Sequence, residues 1–413
     1  MTQSRIDTAN QKVIDTIQTS VVELFDVDIA KNRLAFLQGG KALLHSGPPV
    51  AWRDMCSAMR SAACGAAVLE GWASTVEEAA RLAESGEIRF DSNNDHAAVG
   101  PMAGIISPSM PVFCFRNTTY GNEAFVTMNE GLGKALRFGA NDITVITRLH
   151  WIAEVLAPIL KNALELSGPV DITDMIARGV QRGDECHNRN KASTSLFIRH
   201  IAPAMVRTKL PREEVAKALE FLDGNDHFFL NLSMGNSKAT MDAIGQVPDS
   251  TIVSCMCTNG HEFGLRVAGL GKQWITAPSP YATGNYFQGF TAEDASPTMG
   301  DSYISEAAGI GAFGMGCAPG IGRFIGISAQ QTVNYSLEMY AITVAEHRRF
   351  KIPCLNYRGT PLGIDVRKVL ETGILPIINT GIAHKLPGIG QIGAGVVRAP
   401  MACFERAKES LGL

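Results

Sequence analysis

Along residues 10–25, NQKVIDTIQTSVVELF, the apolar positions Val13, Ile14, Ile17, Val21 and Leu24 recur at the three- and four-residue spacing of one helical face. The pattern predicts an amphipathic helix. A second helix is expected from about residue 52 to 71, and TVEEAARLAESG predicts a third that stops at Gly86. MPVFCFRN and DITVITRL are short β-branched or aromatic runs of the kind found in buried strands, on either side of a helix expected near 121–138. The first section, 1–145, is therefore expected to be an N-terminal α/β domain.

The pattern changes over 146–222. LHWIAEVLAPILKNALELSG, DITDMIARGVQRGDECHNRNKASTSLFIRHIAPAMV and PREEVAKALEFLDG all carry helical spacing, with Gly168 and Pro211 as boundaries. This predicts an all-helical insert domain. From 223 to 413 a second α/β domain is expected, with glycine-rich anion-binding loops. In it HFFLNLSMG reads as strand and turn and NSKATMDAIG as a short helix, while STIVSCMCTNG, GLRVAGLG and QWITAP read as strands. QQTVNYSLEMYAITVAEHRR reads as a long helix, GILPIINTGIAH as a strand running into a polar turn, and APMACFERAKESL as a closing helix. The fold class expected is α+β, a mixed α/β core with an all-helical insert.

Length and composition narrow the function. At 413 residues and 46% hydrophobic, the chain can bury a substantial core. A formal net charge of -3 gives no broad basic field, so nucleic acid is not expected as a partner. No window is apolar for the length of a bilayer span, and MTQSRIDTANQK lacks the apolar centre of a secretion signal, so no membrane is expected and the cytoplasm is the expected location. Nine cysteines without short, regular spacing suit reduced thiols. The 41 glycines gather toward the last third, where the chain must turn tightly or admit a ligand to its backbone.

Two literal G-x-G-x-x-G matches, at Gly309, Gly311 and Gly314 and at Gly388, Gly390 and Gly393, lack the preceding strand and following acid of a dinucleotide site. No cofactor is expected. The glycines between 309 and 322, followed by Arg323, can present backbone N–H groups to an anion, which makes Gly316, Gly320 and Arg323 candidates; a packed glycine-rich turn is the alternative. NLSMGNSKAT offers Asn236 and Lys238 where a strand is expected to end and a helix to begin, though it lacks the first glycine of a P-loop; a capped helix with an exposed lysine is the alternative. In CMCTNGHEFGLR the C-x-C spacing is poor for zinc and HEFGL is not H-E-x-x-H, so no metal is expected; His261 and Glu262 stay as polar site candidates. Asn94, Asp95 and His96 form the densest polar turn of the first section, suited either to acid/base work or to a solvated Asx turn. DECHNRNKAST, residues 184–194, could hold a reactive thiol, a metal or an anion. Helix neighbours point about 100° apart, which disfavours a Cys186–His187 pair; His187, Asn188 and Arg189 read better as donors facing an interdomain cleft, with a helix-end polar network as the alternative.

Taken together, NDHAAVGPMAGIISPSMPVF, DECHNRNKAST, NLSMGNSKATMDA, SCMCTNGHEFGLR and GCAPGIGRFIG resemble a bacterial family carried as a domain of unknown function, DUF1116, which includes the AllG subunit of oxamate carbamoyltransferase from anaerobic allantoin breakdown. The resemblance covers most of the chain. It implies a mixed α/β architecture with a helical insert, and carbamoyl transfer between oxalurate (N-carbamoyl oxamate) and phosphate, giving oxamate and carbamoyl phosphate. Companion subunits are implied as well, and a homo-oligomer is expected. Such chemistry needs no cofactor, but its small anionic substrates, phosphate or carbamoyl phosphate and an oxamate-like carboxylate, need donors converging on one cleft. On that view His96, His187 and His261 are the catalytic candidates. Asn94, Asp95, Asn188, Arg189, Asn236, Lys238, Glu262, Gly316, Gly320 and Arg323 are the substrate-binding candidates. A noncatalytic carboxylate-binding or assembly subunit, or an amidohydrolase, are the competing readings.

Overall fold

The first helix, Gln3–Thr19, buries Ile6, Val13, Ile14 and Ile17 as its spacing predicts. Val21 and Leu24 do not continue it. The chain turns extended at Ser20, and Val22–Ile29 is a strand, because its alternating apolar positions pair antiparallel with Pro111–Asn117. These two are central in a five-stranded sheet ordered Ala98–Val99, Glu123–Thr127, Pro111–Asn117, Val22–Ile29 and Val170–Asp171. The computed structural model describes residues 2–413 and mixes helices with several sheets, the fold class expected from the sequence.

Several elements differ from the sequence reading. The region near 121–138 holds the strand Glu123–Thr127 and a short turn of 3-10 helix at Leu136–Phe138. DITVITRL is helical, since the Asp142 side chain accepts the N–H groups of Thr144 and Val145 and starts a helix that runs through a π-helical turn at Ile152–Leu156 to Ser167. By length and composition alone this continuous stretch, Ile143–Ser167, with a mean hydropathy of 1.5, matches a membrane span, but Arg148, Glu154, Lys161 and Glu165 interrupt it, so it is not an unbroken apolar run. Its second half packs on Val22–Ile29 and on the helix Lys191–Met205, with Ile159, Leu160 and Ala163 buried there.

From Phe229 on, HFFLNLSMG, expected as strand and turn, is part of the helix Phe229–Asp242, which lies against the five-stranded sheet. Every residue from Phe229 to Met241 is buried, so the helix lacks the apolar and polar faces that sequence periodicity detects. A Cβ at Gly235 would stand 2.1 Å from the Phe115 ring. Gly235→Ala is expected to destabilise the protein by about 1–3 kcal/mol through overpacking, read as a lowered urea midpoint.

Within 146–222 the helices Ile172–Val180, Lys191–Met205 and Arg212–Asp223 follow, and 183–190 is an irregular loop rather than helix. The largest core joins Val13, Phe113, Ile159, Phe197, Phe229 and Ile352, residues from all three segments. The last section holds a four-stranded sheet, Ile275–Pro278, Glu262–Val267, Val253–Asn259 and Met299–Gly300, and a three-stranded one, Thr283–Tyr286, Gln391–Arg398 and Ile377–Ala383. The long helix expected after residue 330 ends at Met339, and Thr343–Ile352 turns back as a strand paired with Arg358–Ile364.

Candidate active site

The 183–190 loop is folded around its own acids. The Glu185 carboxylate accepts the backbone N–H groups of His187 and Arg189, and the Asp184 carboxylate accepts that of Ser193 at the start of the next helix. Cys186 takes a left-handed backbone, φ 61°, which turns His187 away from it. Burial pushes the Cys186 thiol well above its ordinary value, which disfavours the reactive-thiol reading. Burial likewise raises Glu185 to about 7, although the charge of His187 and the Arg189 N–H pull it down.

His187 is buried and donates from Nδ1 to Glu306 Oε1 at 2.8 Å. The same oxygen accepts the backbone N–H of Ala312 at 2.9 Å and of Asn379 at 3.2 Å. The glycine-rich turn thus closes on a carboxylate of the protein itself. Gly311, with φ 63°, passes so close that a Cβ there would stand 2.2 Å from Glu306 Oε1, which is why only glycine fits. Burial alone would lower the His187 pKa, but the charge and hydrogen bond of Glu306 outweigh it and hold the imidazole above its ordinary value. Glu306 Oε2 and both polar atoms of the Asn379 side chain are buried without a partner.

His187 makes no hydrogen bond through Nε2 and lines a narrow inner cavity of about 20 Å3 with Arg137, Asn188, His227 and Ser302. An outer cavity of about 220 Å3 shares Leu132, Asn188, His227 and Phe324 with it and adds Arg189, Lys191 and Gly320. The two adjoin through those four residues, and the inner one has room for about one water. Arg137 is 7% exposed, gives Nη2 to Gly131 O at 2.6 Å, and leaves Nε unpartnered. Burial lowers its pKa to about 10 against the pull of Glu130, so it stays cationic. His227 is driven down to about 3 by burial and by the charges of Arg137 and His187, so it is a neutral imidazole. Arg189 gives Nε to Gly183 O at 2.9 Å and lies beside Gly320.

The fold brings together four of the residues singled out in the sequence, His187, Asn188, Arg189 and Gly320. Asn94 and Lys238 meet elsewhere. Lys238 Nζ is buried and donates to Asn94 O at 3.1 Å and Asp242 Oδ1 at 2.9 Å, while Asn94 donates to the buried Asp301 at 2.8 Å. Asn236 accepts from Thr173 inside the central helix. Asp95 pairs with Arg266, whose guanidinium lies over Trp274, and His96 pairs with Asp91 at 2.8 Å. His261 is exposed, and Glu262 accepts from Thr276. Gly316 donates its N–H to Ser336 at 2.8 Å, and Arg323 is exposed. None of these lines either cavity.

Sequence reasoning missed Arg137, His227, Glu306, Asn379 and Asp301. Two of them carry a readable sign, because Glu306 in SEAAGIGAF and Asp301 in MGDSY are lone acids in apolar, glycine-containing runs. An acid that must be buried needs partners supplied by the fold.

Comparison with known proteins agrees with this architecture. Residues 88–302 match a family described as oxamate carbamoyltransferase subunit AllG. The oxamate carbamoyltransferase subunit AllG of Escherichia coli (strain K12) is 45% identical over 405 residues, covering 98% of this chain and 97% of that protein. A second protein of that organism, the uncharacterized protein YahG, is 43% identical over 403 residues, covering 98% of this chain and 85% of its own length. The crystal structure of a conserved protein of unknown function from Enterococcus faecalis V583 superposes with a TM-score of 0.96 at 44% identity, covering 98% of this chain and 97% of that one. With a match of that identity along nearly its whole length, the chain belongs to the AllG family of oxamate carbamoyltransferase subunits.

Proposed function

We propose that this subunit carries a carbamoyl-transfer cavity, exchanging the carbamoyl group between oxalurate (N-carbamoyl oxamate), or a related carbamoyl compound, and phosphate, with companion subunits. The carrying observation is the buried His187–Glu306 pair, whose imidazole lines the inner cavity with Arg137 and Asn188, next to the outer cavity that Asn188 shares with Arg189. In the phosphorolytic direction a phosphate oxygen bonds to the carbamoyl carbon, the bond from that carbon to the oxamate nitrogen breaks, and the nitrogen takes a proton. The His187 imidazolium supplies that proton from Nε2. Arg137 and Asn188 donate to the oxygen that gains charge at the tetrahedral stage. Arg189 and Lys191 line the outer cavity as N–H donors for an anion, although Asp184 stands 3.5 Å from Arg189 and Asp226 3.0 Å from Lys191, so each brings a bound carboxylate with it.

The test is incubation of oxamate and carbamoyl phosphate with the protein, alone and with its companion subunits, measuring oxalurate. Its formation with the companions present is expected, and its absence under both conditions overturns the assignment. A competing role in assembly predicts that His187→Gln in the reconstituted complex keeps turnover. Arg189→Ala is expected to raise KM for carbamoyl phosphate about tenfold with kcat little changed, since a cation of the outer cavity acts on ground and transition states alike. Arg323→Lys, outside both cavities, is expected to leave KM unchanged; initial rates check both variants.

A further inference from the structure

We infer that a further cavity of this chain, apart from the inner and outer ones, binds a small neutral compound that carries an amide or carbonyl oxygen on a flat or apolar body. The cavity has a volume of about 270 Å3 and is walled by Ile105, Met110, Met128, Leu136, Leu149 and Ile152. An apolar cavity of about 150 Å3 takes up benzene, so this one has room for a ring and a polar substituent. The two methionines give the walls some adaptability. This cavity shares only Pro101 and Arg137 with the inner cavity that contains His187.

Its charged groups select the ligand class. Glu130 lines the cavity and is fixed there, because its carboxylate accepts the backbone N–H groups of Leu136 at 2.7 Å and Arg137 at 3.2 Å. Glu154 lines the cavity too, with His150 at 3.8 Å. A carboxylate or phosphate entering would meet the buried Glu130, at a cost that grows as water is excluded, whereas Glu154 is three-quarters exposed and adds little to it. Arg137 has its charge partly met by Glu130, yet it gives only Nη2 to the protein and so has N–H groups left for an acceptor. A neutral carbonyl oxygen satisfies such a donor without facing Glu130 as a like charge. Because Arg137 also lines the inner cavity, an occupant here touches a residue of the proposed reaction site directly.

Benzamide is the probe, with benzoate as its anionic counterpart of the same shape, titrated calorimetrically into the full-length chain. Saturable binding of benzamide, at least about tenfold tighter than benzoate, is expected, equal to about 1.4 kcal/mol. Leu149→Trp fills the cavity and is expected to abolish binding in protein that keeps a cooperative thermal transition. Ile105→Phe serves the same purpose should the tryptophan variant not fold. Benzoate binding as tightly as benzamide, no saturable benzamide binding, or binding that survives in the folded filler variants each overturns the inference. Neither titration uses carbamoyl transfer, so the result stands apart from the proposed reaction.

Discussion

Replacing His187 by glutamine is expected to lower the rate of carbamoyl transfer by about 10²- to 10⁴-fold, the usual contribution of a positioned general acid. The effect should fall on kcat, because the proton moves only when the bond from the carbamoyl carbon to the leaving nitrogen breaks. A second variant separates proton transfer from mere support of the loop. Glu306→Gln keeps an oxygen for the N–H groups of His187, Ala312 and Asn379 but removes the carboxylate charge that raises the His187 pKa. The protonated imidazole is the active form in the direction that makes carbamoyl phosphate, so activity is present below the His187 pKa and is lost as pH rises through it. Losing Glu306 lowers that pKa, and the alkaline limb of the kcat/KM profile is expected to move to lower pH. An alkaline limb at the same pH in Glu306→Gln and the parent protein would remove His187 as the proton donor.

The largest expected effect on stability is at Asp301. Its carboxylate is fully buried and accepts from four donors, Gly47 N and Asn94 Nδ2 at one oxygen, Asn93 Nδ2 and Gly100 N at the other. Burial raises its pKa to about 6 while the donors and Lys238 pull it down, so the group is mainly ionised at pH 7. Asn93, Asn94, Gly47 and Gly100 lie in the first section of the chain, and Asp301 follows the short strand Met299–Gly300 of the last section's sheet. One carboxylate therefore ties the two sections together. Asp301→Asn aims an NH2 group at two N–H groups that already point there, which leaves buried donors facing each other. A loss of about 3–5 kcal/mol is expected, as for breaking other buried charged networks. The measurement is the shift of the urea unfolding midpoint, followed by far-UV and tryptophan signals together. A midpoint within error of the parent's would show that the network does not hold the sections in place.

These sites also show how far a sequence can be read. DECHNRNKAST announces a polar loop through its composition, and the structure places His187, Asn188 and Arg189 on a cavity. It does not announce that two of its acids bind the loop's own backbone and the N–H of the next helix, since that follows from the turn at Cys186. The glycines at 309 and 311 announce tight turning. What they turn around, the Glu306 carboxylate, becomes visible only with the fold. Lys238 looks like an exposed helix-start cation in NLSMGNSK, yet its helix is buried on all sides, and the side chain pairs with Asp242 and Asn94.

By itself the sequence determined what depends on near neighbours: the helical face over 10–19, the closing helix Met401–Leu411, the strand Ile377–Ala383, the mixed α and β class, and the family. Tertiary structure alone decided the pairs. His187 and Glu306 stand 119 positions apart, and Lys238 and Asn94 stand 144 apart. Arg137 and His227 reach the same cavity from different segments. Helical and strand periodicity comes from backbone geometry repeated over a few residues, so it is written locally. A hydrogen bond of about 3 Å between distant residues depends on how packed elements cross, and no local pattern encodes that crossing.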